Sequence, residues 1–200
     1  MDRAQAHTVE AFTAALLVVS AIVFALQATS VTPLTASTSN QHVENQQRAV
    51  AADLLAATDA EGSLREATLY WNASADRFAG SADEGYTNGG PPNRFGAALN
   101  ETFGNLTTGG GRVAYNVFVD YRTPDARESR ETMVYMGSPS DNAVATTRTV
   151  TLFDGDELTA PGATQSVAVA GETDDFYAPD AAPNATLYNV LEVRIVVWKM

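Results

Sequence analysis

The chain has 200 residues and a formal net charge of −12 at pH 7, with 24 acidic against 12 basic side chains. This excess of carboxylates argues against a nucleic-acid-binding protein, because phosphates require a basic surface. The sequence contains no cysteine. Disulfides, thiolate metal ligands and a thiol nucleophile are therefore excluded.

The basic residues are distributed unevenly between the two types. Eleven of the twelve are arginines, and Lys199 is the only lysine. An acidic, lysine-poor surface suits a salt-rich medium, where counterions screen the repulsion between carboxylates. The composition predicts a halophilic protein from a haloarchaeon. An ordinary acidic domain is the alternative interpretation.

The first element in chain order is an apolar segment close to the N-terminus. Residues 11–28 are apolar apart from three uncharged polar residues, Thr13, Ser20 and Gln27. No charged residue occurs between Glu10 and Glu44. Eighteen helical residues span about 27 Å, close to the thickness of a bilayer's hydrocarbon core. The segment therefore predicts a transmembrane helix over 11–28, after a short cytoplasmic head over 1–10.

Three interpretations of this segment are open. A secretory signal has a basic head, an apolar run and a cleavage site after a small residue, here Ala28 or Ser30. A plain membrane anchor is the second interpretation, and its orientation would depend on the single Arg3. The third interpretation rests on the residues that precede the apolar run.

Those residues resemble a known processing signal. Arg3-Ala4, followed by Gln5-Ala6-His7-Thr8-Val9-Glu10 and a long apolar helix, resembles the class III signal sequences of type IV pilins and archaeal pilin-like proteins. The resemblance implies that a membrane aspartyl peptidase cuts after Ala4, which leaves Gln5 as the new N-terminus, or after Ala6. It also implies that the apolar helix stays attached to the mature protein.

Glu10 is the predicted assembly residue. A carboxylate at the end of an apolar helix is unfavourable unless it is paired. The α-amino group that cleavage creates on one subunit would pair with Glu10 of its neighbour and set the stagger between helices. The alternative is a solvated Glu10 that interacts with the positive end of the helix dipole.

A polar stretch follows the apolar segment. Residues 29–40 are rich in Ser and Thr and include Pro33, which predicts a linker or kink. A domain over 41–200 comes next and begins with an amphipathic helix. Its predicted apolar stripe has spacings of 7, 4 and 3, at Val43, Val50, Leu54 and Ala57. A further short helix is predicted over 94–103.

The second half of the domain changes to a period of two, which is typical of strands. Strands are predicted over 112–121, 132–136, 146–153, 166–170 and 188–198. Because no helix is predicted between them, the sheet is expected to be antiparallel. The predicted fold class is α+β: an N-terminal transmembrane helix, then short amphipathic helices, then an antiparallel sheet. This order of elements is similar to that of the pilins.

The sequence offers little catalytic or metal-binding chemistry. The two histidines, His7 and His42, lie outside the predicted sheet, so a Ser-His-Asp site is not expected. The acidic groups at 154–157 and 174–175 lack the spacing of an EF-hand and predict solvated loops. Trp71 and the pair Phe176-Tyr177 predict local packing. We expect no enzyme activity, no metal and no cofactor.

The domain contains four sequons without proline at the middle position, at Asn72, Asn100, Asn105 and Asn184. They predict a glycosylated, exported domain, since N-glycans are added outside the cytosol.

The predicted function is a non-enzymatic, pilin-like subunit of a type IV filament or a secretion-type surface machine. The expected location is the cell membrane, with a single span and an extracellular C-terminal domain. The resemblance implies other pilin-like subunits, a prepilin-type peptidase, a membrane assembly platform and membrane lipid as partners, and no nucleic acid. The alternative is a single-pass, membrane-anchored extracellular binding domain that does not polymerise.

Overall fold

The structure is a computed structural model that describes residues 2–104, 107–108 and 111–200. Side chains are described for residues 9–25, 41–104 and 112–200. The chain divides into two compact units, Met1–Val43 and Glu44–Met200. The predicted start of the second domain, at residue 41, lies three residues before this division.

Helix α1 covers Asp2–Ala60. These bounds include residues 29–40, which the sequence predicts as a linker and whose side chains lie outside the described residues. The amphipathic helix predicted from residue 41 onward belongs to α1.

The prediction of a transmembrane helix over 11–28 is wrong. Within the described part of the chain, no helix combines the length and the apolar character that a bilayer crossing requires. The side chains of residues 26–28 lie outside the described residues.

This finding corrects the predictions that depended on a membrane span. Single-pass anchoring is not supported, and neither is the predicted location in the cell membrane with an extracellular C-terminal domain. The prediction of a pilin-like architecture is therefore also wrong in its transmembrane part. The remaining part, an α+β fold with an antiparallel sheet, is what the structure has.

The main sheet of the second unit has four long antiparallel strands in the order β5–β4–β7–β6. The strands are β4 (Gly111–Arg122), β5 (Glu128–Tyr135), β6 (Val144–Phe153) and β7 (Leu187–Lys199). Three short strands complete the set: β1 (Trp71–Asn72) pairs with β2 (Arg77–Phe78), and β3 (Thr107–Thr108) pairs with the start of β4. β4 and β5 pair as an antiparallel hairpin, in agreement with the predicted antiparallel sheet.

One face of this sheet forms the core. The period of two places alternate residues of β4 and β7 on the buried side: Val113, Tyr115, Val117, Val119, Leu191, Val193, Ile195 and Val197. Residues of α1 pack into the same core at spacings of three and four, namely Ala51, Leu54 and Leu55. The predicted stripe on this helix is therefore displaced, and Ala57 is exposed.

Three short helices surround the core: α2 (Ser63–Thr68), α3 (Arg94–Phe103) and α4 (Val167–Glu172). The bounds of α3 match the prediction. The strand predicted over 166–170 is wrong, because Ser166 caps α4 and its Oγ accepts a hydrogen bond from Val169 N at 3.4 Å. A short apolar run does not distinguish a strand from a buried helical turn.

A loop residue pairs with the outer edge of β5. Tyr86 N donates to Met133 O at 2.9 Å, and Tyr135 N donates to Tyr86 O at 2.9 Å. The preceding Gly85 has φ = 98°, and a Cβ there would lie 2.9 Å from Met133 O. Only glycine allows this positive φ and this close approach without strain.

Candidate functional site

The first unit presents a large apolar surface to solvent. Nine large apolar side chains of α1 are between 47% and 76% exposed: Val9, Phe12, Leu16, Leu17, Val18, Val19, Ile22, Val23 and Phe24. We call this set the N-terminal apolar surface. Soluble monomers rarely expose a contiguous apolar patch larger than a few hundred Å², so this surface is a candidate contact site.

The apolar side chains surround the helix on every side. At 100° per residue, one face carries five of them, Val9, Phe12, Leu16, Val19 and Val23. The remaining four lie on the other sides of the helix. A helix that packs on one partner has a single apolar stripe, whereas a helix that is apolar all round is enclosed. The pattern therefore favours contact with several neighbours at once.

The two polar side chains within this surface are satisfied by the helix itself. Thr13 Oγ1 donates to Val9 O at 2.8 Å and lies 3.0 Å from Glu10 O. Ser20 Oγ donates to Leu16 O at 2.7 Å. Neither hydroxyl needs a partner from outside the helix, so both residues tolerate an apolar environment.

The predicted assembly and processing residues lie at the start of α1. Glu10 is exposed next to the N-terminal apolar surface. Arg3, Ala4, Gln5 and Ala6 fall within the bounds of α1, but their side chains are outside the described residues. Cleavage at Ala4 or Ala6 and the pairing of Glu10 with a neighbour stay predictions.

Three of the four sequons are described, and their asparagines are exposed: Asn72, Asn100 and Asn184. Asn105 lies outside the described residues. Asn100 belongs to α3, and Asn72 Oδ1 accepts a hydrogen bond from Ala75 N at 3.3 Å. The predicted glycosylation depended on an extracellular location, which is no longer supported.

An ion network lies on the sheet face opposite the core. Asp120 on β4 is 13% exposed and accepts two hydrogen bonds from Arg130 on β5, at 2.5 and 3.1 Å. Arg194 Nε on β7 lies 3.3 Å from Asp120 Oδ2. The Arg130 guanidinium stacks 4.9 Å from the centre of the Phe118 ring. The hydrogen bonds to Asp120 raise the pKa of Arg130.

Sequence reasoning missed this network because it depends on the pairing of strands that are distant in the chain. Asp120 lies opposite Arg130 in one ladder and opposite Glu192 in the other. The alternation of polar residues along β4 and β7 was the available signal, but the register between the strands was not. Because Asp120 is paired with both Arg130 and Arg194 on a half-exposed face, the network fits a structural role.

The acidic loops hold no arrangement suited to a metal. Among the described residues, no three His, Cys, Asp or Glu side chains lie close enough to hold an ion. Asp156 is paired with Arg65 and accepts a hydrogen bond from Phe153 N at 2.7 Å. This carboxylate therefore ties β6 to α2, and the prediction of a fully solvated loop is wrong for Asp156.

Comparison with known proteins identifies a family to which the chain belongs. No curated protein and no solved structure matches the chain at a significant level. Residues 3–197 match a family of unknown function, DUF7288. The match includes the N-terminal apolar surface and both compact units. Because it covers nearly the whole chain, the protein belongs to the DUF7288 family of unknown function.

Proposed function

We propose that this protein is a non-enzymatic subunit of a pilin-like filament, in which the N-terminal apolar surface packs against the same surface of neighbouring copies. The observation that carries the proposal is the exposure of nine large apolar side chains around the whole circumference of one helical segment. A bundle of identical helices would enclose such a segment on all sides.

The size of the surface favours a stable assembly. Full burial of a large apolar side chain contributes about 1.5–3 kcal/mol. Because these side chains are about half exposed, burial in an assembly would contribute roughly 1 kcal/mol for each, or on the order of 10 kcal/mol per subunit. Lost translational and rotational freedom opposes association by about 4–15 kcal/mol, so the balance depends on contact with more than one neighbour.

The residues before the surface give independent support. Arg3-Ala4 and the stretch that ends at Glu10 resemble the processing signal of type IV pilin-like proteins. On this proposal, the partners are other copies or related subunits, a peptidase that cuts after Ala4 or Ala6, and an assembly platform.

The inventory of reactive side chains supports a non-enzymatic role. The sequence has no cysteine, and its two histidines, His7 and His42, both precede the second unit. Histidine, the most frequent acid–base residue of active sites, and cysteine, a strong nucleophile, are thus missing from the sheet-containing unit.

The experiment tests whether the apolar surface drives assembly. The double variant Leu17→Glu with Phe24→Glu changes the two most exposed side chains of the surface, at 72% and 76%. Wild type should sediment as large assemblies and form filaments in electron micrographs, and the variant should sediment as a monomer. The measurement is made in about 1 M salt, where the Debye length is about 3 Å and the repulsion between the acidic chains is screened.

The matched control is Val169→Glu, which changes a 51% exposed apolar residue of α4 in the second unit. It should assemble like wild type. A double variant that assembles as well as wild type would overturn the proposal. So would a wild-type protein that stays monomeric at about 1 mM, a concentration at which even a contact of about 4 kcal/mol is half occupied.

A further inference from the structure

The second unit contains a cleft of about 220 Å³ away from the N-terminal apolar surface. One wall is the segment that starts at Trp71 and continues through Asn72 and Ser74. The other wall is the turn over 158–165, which includes Thr164 and Gln165.

Hydrogen bonds hold both walls in place. Asn72 Oδ1 accepts from Ala75 N at 3.3 Å and fixes the turn on the first wall. On the second wall, Leu158 N donates to Gln165 O at 3.0 Å and closes the turn. Thr159 N donates to Leu69 O at 2.9 Å and joins the two walls. The cleft is therefore preformed, which lowers the entropic cost of ordering its residues when a ligand binds.

The lining of the cleft is polar and uncharged. The polar residues of the lining are Asn72, Ser74, Thr164 and Gln165. None of the described residues that line the cleft carries a charge, although the chain has a net charge of −12. An ion would find no partner of opposite sign here, and a purely apolar ligand would leave the amides and hydroxyls unpaired.

Trp71 lines the cleft, so its indole N–H signal can report on what occupies the cleft. The residue is 2% exposed, and no described group accepts a hydrogen bond from its buried Nε1. Three rings surround the indole, with centroids at 5.3 Å for Phe78, 5.1 Å for Tyr177 and 6.4 Å for Phe176. Their packing leaves the N–H unsatisfied, and an unpaired buried donor is unfavourable by about 1–3 kcal/mol.

We propose that this cleft binds one neutral sugar ring. A sugar presents several hydroxyl groups that both donate and accept, which matches the amide and hydroxyl side chains that line the cleft. The volume is below the roughly 300–1,000 Å³ of pockets for drug-sized ligands, so it suits a single ring. This site is independent of the proposed self-assembly, and either proposal can fail without the other.

The test uses the ¹⁵N-labelled full chain that carries Leu17→Glu and Phe24→Glu, the variant expected to stay monomeric and therefore to give sharp NMR signals. It is titrated with glucose, galactose, mannose and N-acetylglucosamine, and with galacturonate as a charged comparison. The indole N–H signals come from Trp71 and Trp198, and a Trp198→Phe variant assigns them. At least one neutral sugar should shift the Trp71 indole signal in a saturable manner. Galacturonate should shift it at least tenfold more weakly at the same concentration.

A pair of variants separates binding in the cleft from a general effect. Thr164→Phe fills the cleft at an exposed position and should abolish the shift. Thr151→Phe places the same side chain at an exposed position of β6 outside the cleft and should leave the shift unchanged. The proposal is overturned if none of the four neutral sugars gives a saturable shift, if galacturonate acts equally, or if both variants respond alike.

Discussion

Two stretches of helix α1 carry similar side chains and differ in their surroundings. Leu17 in the N-terminal apolar surface is 72% exposed, whereas Leu55 in the second unit is 1% exposed. The second stretch alternates between buried and exposed residues because a sheet covers one of its sides. The first stretch is apolar on all sides. The comparison teaches that apolar character predicts a need for contact, and that the circumferential pattern indicates how many partners satisfy it.

The largest expected difference in the free energy of unfolding is between the alanine variants of these two leucines. Leu55→Ala should lower the free energy of unfolding by about 2–5 kcal/mol, because it leaves a cavity in the core. Leu17→Ala should change it by less than about 0.5 kcal/mol, since an exposed side chain loses little. Urea unfolding followed by fluorescence measures this in the second unit, which holds both tryptophans.

These measurements belong at low protein concentration, where assembly adds no stability. If Leu17→Ala destabilised the protein as much as Leu55→Ala, the N-terminal apolar surface would already be covered within one chain. The distinction between the two stretches would then fail.

Alkaline pH should destabilise the second unit specifically, because all seven tyrosines lie in it. Burial raises the pKa of Tyr115 to about 12, and it is also the main cause of the raised pKa of Tyr86, Tyr177 and Tyr188. Above pH 10 the unfolded chain loses these protons first. The free energy of unfolding should therefore fall as the pH rises from about 10 to 12.

The Tyr115→Phe variant isolates one of these contributions. The pKa of Tyr115 differs by about two units between the folded and unfolded states. At about 1.4 kcal/mol per unit, complete ionisation would lower the free energy of unfolding by about 3 kcal/mol. The variant should lose stability less steeply than wild type between pH 10 and 12, as measured by urea unfolding at each pH. Tyr135→Phe, at a partly exposed position, is the control. Equal slopes for wild type and Tyr115→Phe would contradict the explanation.

The smallest effect concerns the sheet face opposite the core. Asp120→Asn should lower the free energy of unfolding by about 1–2 kcal/mol, because it leaves two half-exposed arginines without their carboxylate. Asp125→Asn removes a similar pair with Arg127 on the surface, and we expect a change within about 0.5 kcal/mol. Thermal unfolding measures both, and sedimentation should show unchanged assembly. Equal losses of stability would show that the network is as weak as a surface pair.

Local pattern predicted the elements of the second unit well. The alternation over 112–121 and 188–198 identified β4 and β7, and the helix over 94–103 was found with its bounds, because these signals lie within a dozen residues. The order of the strands was not predictable, since β4 pairs with β7 across more than 60 residues of intervening chain. Loop-closure entropy and packing decide such pairing, and neither is visible in a short window.

The N-terminal apolar surface and the cleft at Trp71 also differ in whether the sequence alone revealed them. The N-terminal apolar surface was visible in the sequence because it is a continuous run, but the run alone did not reveal whether it crosses a bilayer. The cleft at Trp71 was not visible, because its second wall comes from residues about 90 positions later in the chain. The prediction of local packing for Trp71 and Tyr177 did not reveal that their rings contact each other, with centroids 5.1 Å apart, because more than 100 residues separate them in the chain.

The pairing of Tyr86 with β5 has a consequence for crowded conditions. An unpaired strand edge recruits strands from other molecules and starts aggregation. At residues 133–135 the hydrogen-bonding groups that face away from β4 are already occupied by Tyr86, and Gly85 permits this because a Cβ would collide with Met133 O. If copies of the protein pack through the N-terminal apolar surface as proposed, the pairing of Tyr86 with β5 would keep their sheets from joining edge to edge at high local concentration.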